Sequence, residues 1–336
     1  MPPMRPEPWH ADNDVTIYHG DALATLRELP DESVQMCATS PPFWALRDYG
    51  VDGQLGQEAT LKEWAANLVD VFREVRRVLK PDGTLWVEVG DSYNAGTAGR
   101  NGGKSGAARD HLTVAYWRKA GQMGDRRINA PGLKVKDLIG QPWTLAFALR
   151  DDGWWLRAEV IWARTNPTPE PTPDRPIKSH STIFMLTKRA RYLYHPMREP
   201  SSGTANRKGR KLATPREANG HHAGWHAATA DLVDERLVRD VWLVPVEGNA
   251  VEHYATWPRE IARRMILAST SEGDVVLDPF LGTGTTALVA RQHRRRAVGV
   301  ELSPAYLEQA RRRLALPDVD GAVPVGGGHA QMTLLG

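Results

Sequence analysis

The chain alternates between short apolar runs and longer segments whose apolar residues share one helical face. Between positions 61 and 79 the apolar residues keep helical spacing, and Lys80-Pro81-Asp82-Gly83 follows as a terminator, which predicts a helix over 61–83. Runs such as "VQMCATS" have the length and composition of buried strands. Strands that alternate with helices predict an α/β fold built on a doubly wound, mostly parallel sheet.

The same pattern divides the rest of the chain. The predicted strands cover 15–20, 34–40, 84–90, 154–164, 181–188, 191–195, 274–280 and 297–302. The predicted helices cover 24–33, 61–83, 137–153, 258–270, 285–294 and 304–316. Residues 181–188 and 191–195 are expected to pair with each other, and the proline-rich segment 165–176 fits neither a helix nor a central strand.

Composition adds an expected location but says little about the fold. Hydrophobic residues make up 41% and charged residues 25% of the chain, an ordinary globular mixture. Cys37 is the single cysteine, which excludes a disulfide framework or a cysteine-rich zinc site. No apolar signal segment opens the chain and no apolar run has the length of a membrane span, so we expect a cytoplasmic protein.

Positive charge is concentrated in two segments, although the net charge of the chain is only +3. Residues 94–136 hold nine Lys or Arg against two Asp, and residues 186–216 hold nine against one Glu. Both segments are rich in small polar residues, so we interpret them as basic loops inserted between elements of the sheet. Such loops fit either the phosphates of a nucleic acid or two solvated insertions without a partner.

The segment "VVLDPFLGTGTTALVA" has the pattern of a strand, a glycine-rich turn and a helix. Gly282 and Gly284 let a ligand approach the backbone, and the helix that begins at Thr285 points its first N–H groups at that ligand. Asp278 would repel a pyrophosphate but attract an ammonium group, which favours S-adenosyl-L-methionine over NAD. Glu301 ends the next predicted strand, where it would accept hydrogen bonds from ribose hydroxyls.

Two motifs give the chain a resemblance to a known enzyme family. Ser40-Pro41-Pro42-Phe43 follows one predicted strand, and "DPFLGTGT" begins at the end of another. Both resemble motifs of the DNA amino-methyltransferases, which methylate exocyclic amino nitrogens with S-adenosyl-L-methionine. Because the catalytic motif precedes the cofactor motif, the chain resembles the circularly permuted β group of that family, which has a Rossmann-like methyltransferase fold. The segments "HGDAL", "RVLKPDGTLWVEVGDSY" and "HYATWPRE" are similar to further motifs of the group.

The resemblance implies a site and a domain organisation. Ser40, Pro41, Pro42 and Phe43 would hold the target base. The residues implied in cofactor binding are Asp21, Thr256, Pro258, Asp278, Phe280, Gly282, Gly284, Thr285 and Glu301. The implied organisation is a flexible arm (1–14), a catalytic half (15–198) with a basic insertion at about 94–136, a target-recognition region (199–249), a cofactor-binding half (250–316) and a flexible tail (317–336).

The motif Ser40-Pro41-Pro42-Phe43 suits the chemistry that the resemblance implies. An exocyclic amine is a poor nucleophile because its lone pair is delocalised into the ring. The Ser40 oxygen and the Pro41 carbonyl, held by the stiff Pro-Pro pair, would accept the amine hydrogens and favour the form that attacks the methyl group. The base would have to leave the stack of a duplex, and Phe43 would then stack on its face.

Several alternatives stay open at this stage. Ser at the first motif position is typical of N4-cytosine enzymes and Asp of N6-adenine enzymes, so Ser40 favours cytosine in double-stranded DNA, with adenine as the alternative. An RNA or protein-amide methyltransferase and a non-catalytic DNA-binding module are further alternatives. A restriction endonuclease partner and a homodimer are both compatible with the sequence.

Five smaller interpretations complete the sequence analysis. Trp44 would either wall the pocket or pack beneath the loop, and Asp91 would either line the site or cap the next turn. Asp21 would contact the adenine or cap the turn after Gly20. Cys37 lacks the Pro-Cys context of enzymes that methylate cytosine C5, so we interpret it as a buried strand residue. No metal is expected, because the histidines of "HHAGWH" lack carboxylate or thiol neighbours.

Overall fold

A computed structural model describes residues 7–46, 48, 50–94, 130–167, 170, 172–200, 235–247 and 257–316. Its strands are β1 (His10–Ala11), β2 (Val15–His19), β3 (Val34–Thr39), β4 (Leu79–Val89), β5 (Trp155–Ala163), β6 (His180–Thr187), β7 (Arg198–Pro200), β8 (Glu235–Leu237), β9 (Val241–Leu243), β10 (Val275–Asp278) and β11 (Arg296–Glu301). Its helices are α1 (Ala22–Glu28), α2 (Leu61–Val78), α3 (Gln141–Asp151), α4 (Arg259–Ser269), α5 (Thr285–Gln292) and α6 (Pro304–Leu314).

A nine-stranded sheet runs through the molecule in the order β1-β2-β11-β10-β3-β4-β6-β5-β9. The strands from β2 to β4 in this order are parallel to their neighbours, and β5 and β9 are also parallel. Strand β6 is antiparallel to both β4 and β5, and β1 is antiparallel to β2. The prediction of a mostly parallel α/β sheet is therefore confirmed.

Helices cover both faces of the sheet, as a doubly wound fold requires. Helices α1, α2 and α3 pack on one face, where Trp64, Phe72 and Leu145 belong to a single apolar core. Helices α4, α5 and α6 pack on the other, where Met265 and Leu314 belong to a second core. Each parallel strand contributes to both cores, since its side chains alternate between the two faces.

The end of α2 shows a difference from the sequence prediction. The helix begins at a capping box formed by Thr60 and Glu63, and it ends at Val78. Residues 80–83 were predicted as the terminator of this helix, and they are extended chain in β4, next to a register shift between β3 and β4. Helix α3 begins at Gln141 rather than at 137, because Gly140 takes a left-handed conformation (φ 79°) as its N-cap.

The predicted pair of strands at 181–188 and 191–195 is wrong. The first segment forms β6, which pairs with β4 and β5. Residues 191–195 form no strand, because their N–H groups bond to two separate partners: Leu193 donates to the carbonyl of Asp82, and His195 to that of Ala268. In the expected N-terminal arm, His10 and Ala11 form β1 at the edge of the sheet.

The order of the strands explains the arrangement of the site. Strands β10 and β11 come late in the chain but lie between β2 and β3, so the C-terminal part completes a sheet that the N-terminal part begins. The crossover through α5 leads from β10 to β11, towards one edge of the sheet. The crossover through α2 leads from β3 to β4, towards the opposite edge, so the direction of winding reverses between β10 and β3. Ligands of open α/β sheets bind at such a switch point, outside the carboxyl ends of the strands.

Two negative findings apply to the part of the chain that the structure describes. None of its helices combines the length and apolar character that a membrane crossing needs. Its His, Cys, Asp and Glu residues form no group of three or more that would hold a metal ion.

Candidate active site

A cavity opens at the carboxyl ends of β2, β3, β10 and β11, across the switch point. Residues from both sequence motifs line it: Gly20, Asp21, Ala22, Ser40, Pro42, Val51, Gly53, Gln54, Leu55, Pro279, Phe280, Gly282, Thr283, Val300, Glu301, Leu302, Ser303 and Tyr306. The fold thus brings Ser40 and the glycine-rich turn into one cavity. Thr39 and Asp278, which directly precede these two segments, are 239 residues apart in the chain.

Asp278 braces the glycine-rich turn from behind. Its carboxylate accepts hydrogen bonds from Thr39 Oγ1 (2.7 Å), Thr286 Oγ1 (2.7 Å) and the N–H of Phe280 (3.1 Å). Burial raises the pKa of Asp278 from 3.8 to about 6, although these three donors oppose the rise. Asp278 was expected to face an ammonium group, but it does not line the cavity, and its bonds join β3 to β10 across the switch point.

Glu301 braces the same turn from the cavity side. Its two carboxylate oxygens accept the N–H groups of Gly282 (2.8 Å) and Ser303 (2.7 Å). Burial raises the pKa of Glu301, while the N–H donors of Ser303 and Gly282 oppose the rise. Because Glu301 also lines the cavity, its remaining lone pairs are available to ribose hydroxyls.

The other residues expected to bind the cofactor fall into three groups. Asp21 lines the cavity and also caps α1, since its Oδ1 accepts the N–H of Ala24 at 2.8 Å; both interpretations of this residue are therefore compatible with the geometry. Gly284 and Thr285 lie behind the turn and do not line the cavity. Pro258 caps α4, and Thr256 lies outside the described residues.

Ser40 has a partner that the sequence analysis missed. Its hydroxyl donates to Glu88 Oε2 at 2.7 Å, from the end of β3 to the neighbouring β4. Glu88 is fully buried, and burial raises its pKa, while the hydroxyls of Ser40 and Ser181 oppose the rise. The signal was present in the sequence, since "TLWVEVG" carries an acid inside an apolar strand, where a charge requires hydrogen-bond partners.

The Pro-Pro pair is fixed by neighbours on both sides. Trp64 of α2 donates its indole N–H to the carbonyl of Pro42 at 2.8 Å. The carbonyl of Pro41 accepts no hydrogen bond from any residue that the structure describes. One of the two proline carbonyls is therefore used to hold the loop, whereas Pro41 itself is buried and does not line the cavity.

The ring of Phe43 lies over Gly90, just beyond the end of β4. A Cβ atom at position 90 would lie 2.7 Å from Cε2 of Phe43, so only a glycine allows the ring to take this position. Trp44 is different, since it is only 2% exposed and packs in the core beneath α2. Its indole N–H donates to the carbonyl of Glu58 at 2.9 Å, so Trp44 belongs to the support of the loop.

Asp91 caps α3: its Oδ1 accepts the N–H groups of Gly140 (3.0 Å) and Gln141 (3.1 Å). Of its two interpretations, the structure favours the cap. Cys37 is buried, and burial, with the negative charge of Asp278, raises the pKa of its thiol. A thiol that is kept neutral in a core is a poor nucleophile, which agrees with a structural role.

Two cationic residues and a histidine, whose pKa is lowered by burial and by the charges of Lys178 and Arg164, lie at the same edge of the sheet as Ser40. Arg164 follows β5, and Lys178 and His180 lie at the start of β6, where the two strands pair. Arg164 donates to the hydroxyl of Ser181, which in turn bonds to Glu88. Burial lowers the pKa of Lys178, and the positive charges of Arg164 and Arg175 lower it further. Like charges held this close favour an anionic ligand.

A profile of the N6/N4 DNA methylase family matches residues 34–312, which include both motifs. The chain belongs to this family. The Type II methyltransferase M.Cfr9I of Citrobacter freundii is 42% identical over 313 residues, which cover 92% of this chain and 90% of the relative. The chain is thus an S-adenosyl-L-methionine-dependent DNA amino-methyltransferase, and the family and cofactor expected from the two motifs are confirmed.

Solved structures of other methylases agree with the fold. A putative DNA modification methylase of Thermus thermophilus, solved in complex with S-adenosyl-L-methionine, is 25% identical, with a TM-score of 0.54 over 89% of this chain and 92% of its own. The PvuII DNA methyltransferase (cytosine-N4-specific) is 18% identical, with a TM-score of 0.61 over 91% of this chain and 88% of its own. The described sheet of this methylase has the Rossmann-like arrangement of these enzymes.

Proposed function

We propose that this methylase transfers the methyl group of S-adenosyl-L-methionine to N4 of a flipped-out cytosine in double-stranded DNA. The observation that carries the proposal is that Ser40 and Pro42 line the same cavity as Asp21, Phe280 and Glu301. A cofactor held by the second set presents its methyl group towards the first. Ser at position 40, rather than Asp, favours cytosine over adenine.

Hydrogen bonding sets the direction in which Ser40 acts. Because its hydroxyl donates to Glu88, the lone pairs of Ser40 Oγ are left to accept a hydrogen from the target amine. The Pro41 carbonyl, which accepts no hydrogen bond from the described residues, would accept the second one. Two acceptors on one amine would localise its lone pair on nitrogen, so that the N–C bond would form as the S–C bond of the cofactor breaks, with release of S-adenosylhomocysteine and loss of one amine proton to solvent. No covalent enzyme intermediate is needed, and positioning and electrostatics lower the barrier.

The base itself requires a face to stack on. The exocyclic amine cannot be reached while the base is stacked in the duplex, and it becomes accessible only when the base flips out. The Phe43 ring, which packs over Gly90 and does not line the described cavity, would supply the aromatic surface, and stacking of a base on such a ring is worth about 1–3 kcal/mol. Arg164, Lys178 and His180, on the same edge, would contact the phosphates that flank the flipped nucleotide.

We infer in addition that the enzyme is the methyltransferase of a Type II restriction–modification system, since M.Cfr9I carries that description. A restriction endonuclease of the same sequence specificity would then be its functional partner. DNA that this enzyme has methylated should resist cleavage by that endonuclease, whereas DNA from a strain with the Ser40→Ala variant should be cut.

One experiment separates the two candidate bases. The enzyme is expressed in a host without DNA methylation, and the modified base and its sequence context are determined by single-molecule sequencing. We expect N4-methylcytosine at one recurrent site. N6-methyladenine would overturn the choice of cytosine while leaving the amine chemistry intact, and unmodified DNA from a folded enzyme would overturn the proposal as a whole.

A further inference from the structure

Arg313 approaches the glycine-rich turn from outside the cavity. It lies near the end of α6 and is half-buried. Its Nη1 donates to Thr283 Oγ1 at 2.9 Å and to Thr285 Oγ1 at 2.7 Å. Thr283 lines the cofactor cavity, so one hydroxyl separates the guanidinium from the space that the cofactor fills.

Close packing keeps α6 in this position. A Cβ atom at Gly284, between the two threonines, would lie 3.3 Å from both the Cβ of Ala310 and the Cδ1 of Leu314. The last turn of α6 therefore rests directly on the turn of the cofactor site. The place of the Arg313 guanidinium is set by this packing as well as by its own hydrogen bonds.

The charge of Arg313 has no contacting partner in the described part of the chain. None of the carboxylates described there lies within 4 Å of it, whereas Arg311 and Arg312 both pair with Glu308 at 2.7 and 2.8 Å. Burial lowers the pKa of Arg313; the charge of Glu247 opposes this fall, but Glu247 already pairs with Arg259, whose own charge lowers the pKa further. A half-buried cation without a contacting counter-charge is a costly arrangement unless a ligand supplies the anion.

We propose that Arg313 provides the positive charge that positions the carboxylate end of S-adenosyl-L-methionine, acting through Thr283. The oxygen of Thr283 accepts a hydrogen bond from Arg313, which leaves its own proton to be donated into the cavity. Of the charged parts of the cofactor, only the α-carboxylate would accept that proton and gain from the cation behind it.

The test compares two ligands by calorimetry on the full chain. S-Adenosylhomocysteine carries the carboxylate, and 5′-deoxy-5′-(3-aminopropylthio)adenosine keeps the amine but lacks it. We expect Arg313→Gln to weaken the binding of S-adenosylhomocysteine by about 10- to 100-fold, the range of a charge-assisted hydrogen bond. The affinity for the second ligand should be nearly unchanged. Arg313→Lys, which keeps the charge but places it on a shorter and more flexible side chain, should recover part of the affinity.

Arg312→Gln is the matched control, because it removes the neighbouring charge from an exposed position. It should bind both ligands as the wild type does. Equal weakening of both ligands in Arg313→Gln would mean that the residue only supports the turn, and unchanged binding of S-adenosylhomocysteine would mean that it has no role; either result overturns the proposal. Should Arg313→Gln not fold, Arg313→Met, which also removes the charge but keeps an apolar stem, is judged by the same ratio of affinities, and a ratio equal to that of the wild type overturns the proposal.

Discussion

The two halves of the cavity both rest on buried carboxylates, but they use them differently. In the cofactor half, Asp278 and Glu301 accept backbone N–H groups of Phe280, Gly282 and Ser303, and Asp278 also accepts two threonine hydroxyls, so the acids shape a loop. In the half that we propose receives the base, Glu88 accepts only side-chain hydroxyls from the described residues, and one of them belongs to Ser40.

This difference separates binding from chemistry. Carboxylates that hold backbone determine where a ligand rests, and their loss should be felt in affinity and stability. A carboxylate that holds one hydroxyl determines where the lone pairs of that oxygen point, and its effect should be felt in the rate of transfer. Thr39, which bonds to Asp278 directly before Ser40, connects the two halves.

The largest expected effect follows from removing the Ser40 hydroxyl. Ser40→Ala should lower the rate of methyl transfer about 10²- to 10³-fold, as loss of one preorganised hydrogen-bonding group does elsewhere, with unchanged affinity for S-adenosyl-L-methionine. Single-turnover transfer of tritium and calorimetry measure the two quantities. Ser181→Ala is the matched control, because it also removes a hydroxyl from Glu88 but does not line the cavity. Similar losses in both variants would contradict the role of Ser40.

A methyl group at position 90 should act on the aromatic surface alone. In Gly90→Ala the new Cβ atom would lie 2.7 Å from Cε2 of Phe43, so the ring would have to move. We expect about a 10-fold loss in the rate of DNA methylation, which corresponds to the lower part of the range for base stacking. Phe43→Ala added to Gly90→Ala should cost little more, since both remove the same contact. Fully additive losses in the double variant would show that the two residues act separately.

The raised pKa of Asp278 gives stability a defined dependence on pH. A carboxyl whose pKa rises from 3.8 to about 6 on folding contributes stability that is complete below pH 3.8 and is lost as the pH rises through 6. The wild type should therefore lose at most about 3 kcal/mol relative to Asp278→Asn over this window. Urea unfolding of the ligand-free enzyme between pH 4 and pH 7 measures the difference. Glu272→Gln, at an exposed site, is the acid-to-amide control; a pH-independent difference for Asp278→Asn would contradict the prediction.

The smallest effect on catalysis is expected at Cys37. The thiol is buried in β3 and does not line the cavity, so Cys37→Ala should transfer methyl groups at the wild-type rate. Its cost should appear only in unfolding, at about 1 kcal/mol for a small group removed from a core. A folded Cys37→Ala enzyme without activity would point to thiol chemistry and against transfer to an amine.

Much of the fold was predictable because its elements carry local signals. The capping box before α2 and the apolar runs of β3 and β10 are complete within a few residues of sequence. The segment 191–195 misled the prediction because its aromatic and apolar residues are typical of a strand, yet its N–H groups bond to Asp82 of β4 and Ala268 of α4. Strand propensity describes which residues suit a sheet, but the partners decide whether one forms.

The sequence by itself determined the family and its cofactor, because two motifs at strand ends resemble those of the DNA amino-methyltransferases. Only the tertiary structure decided what supports them. Glu88 meets Ser40 across 48 residues and Arg313 meets Thr283 across 30, and no periodicity along the chain encodes such pairs. They arise where neighbouring strands and a packed helix bring together groups whose burial requires a partner.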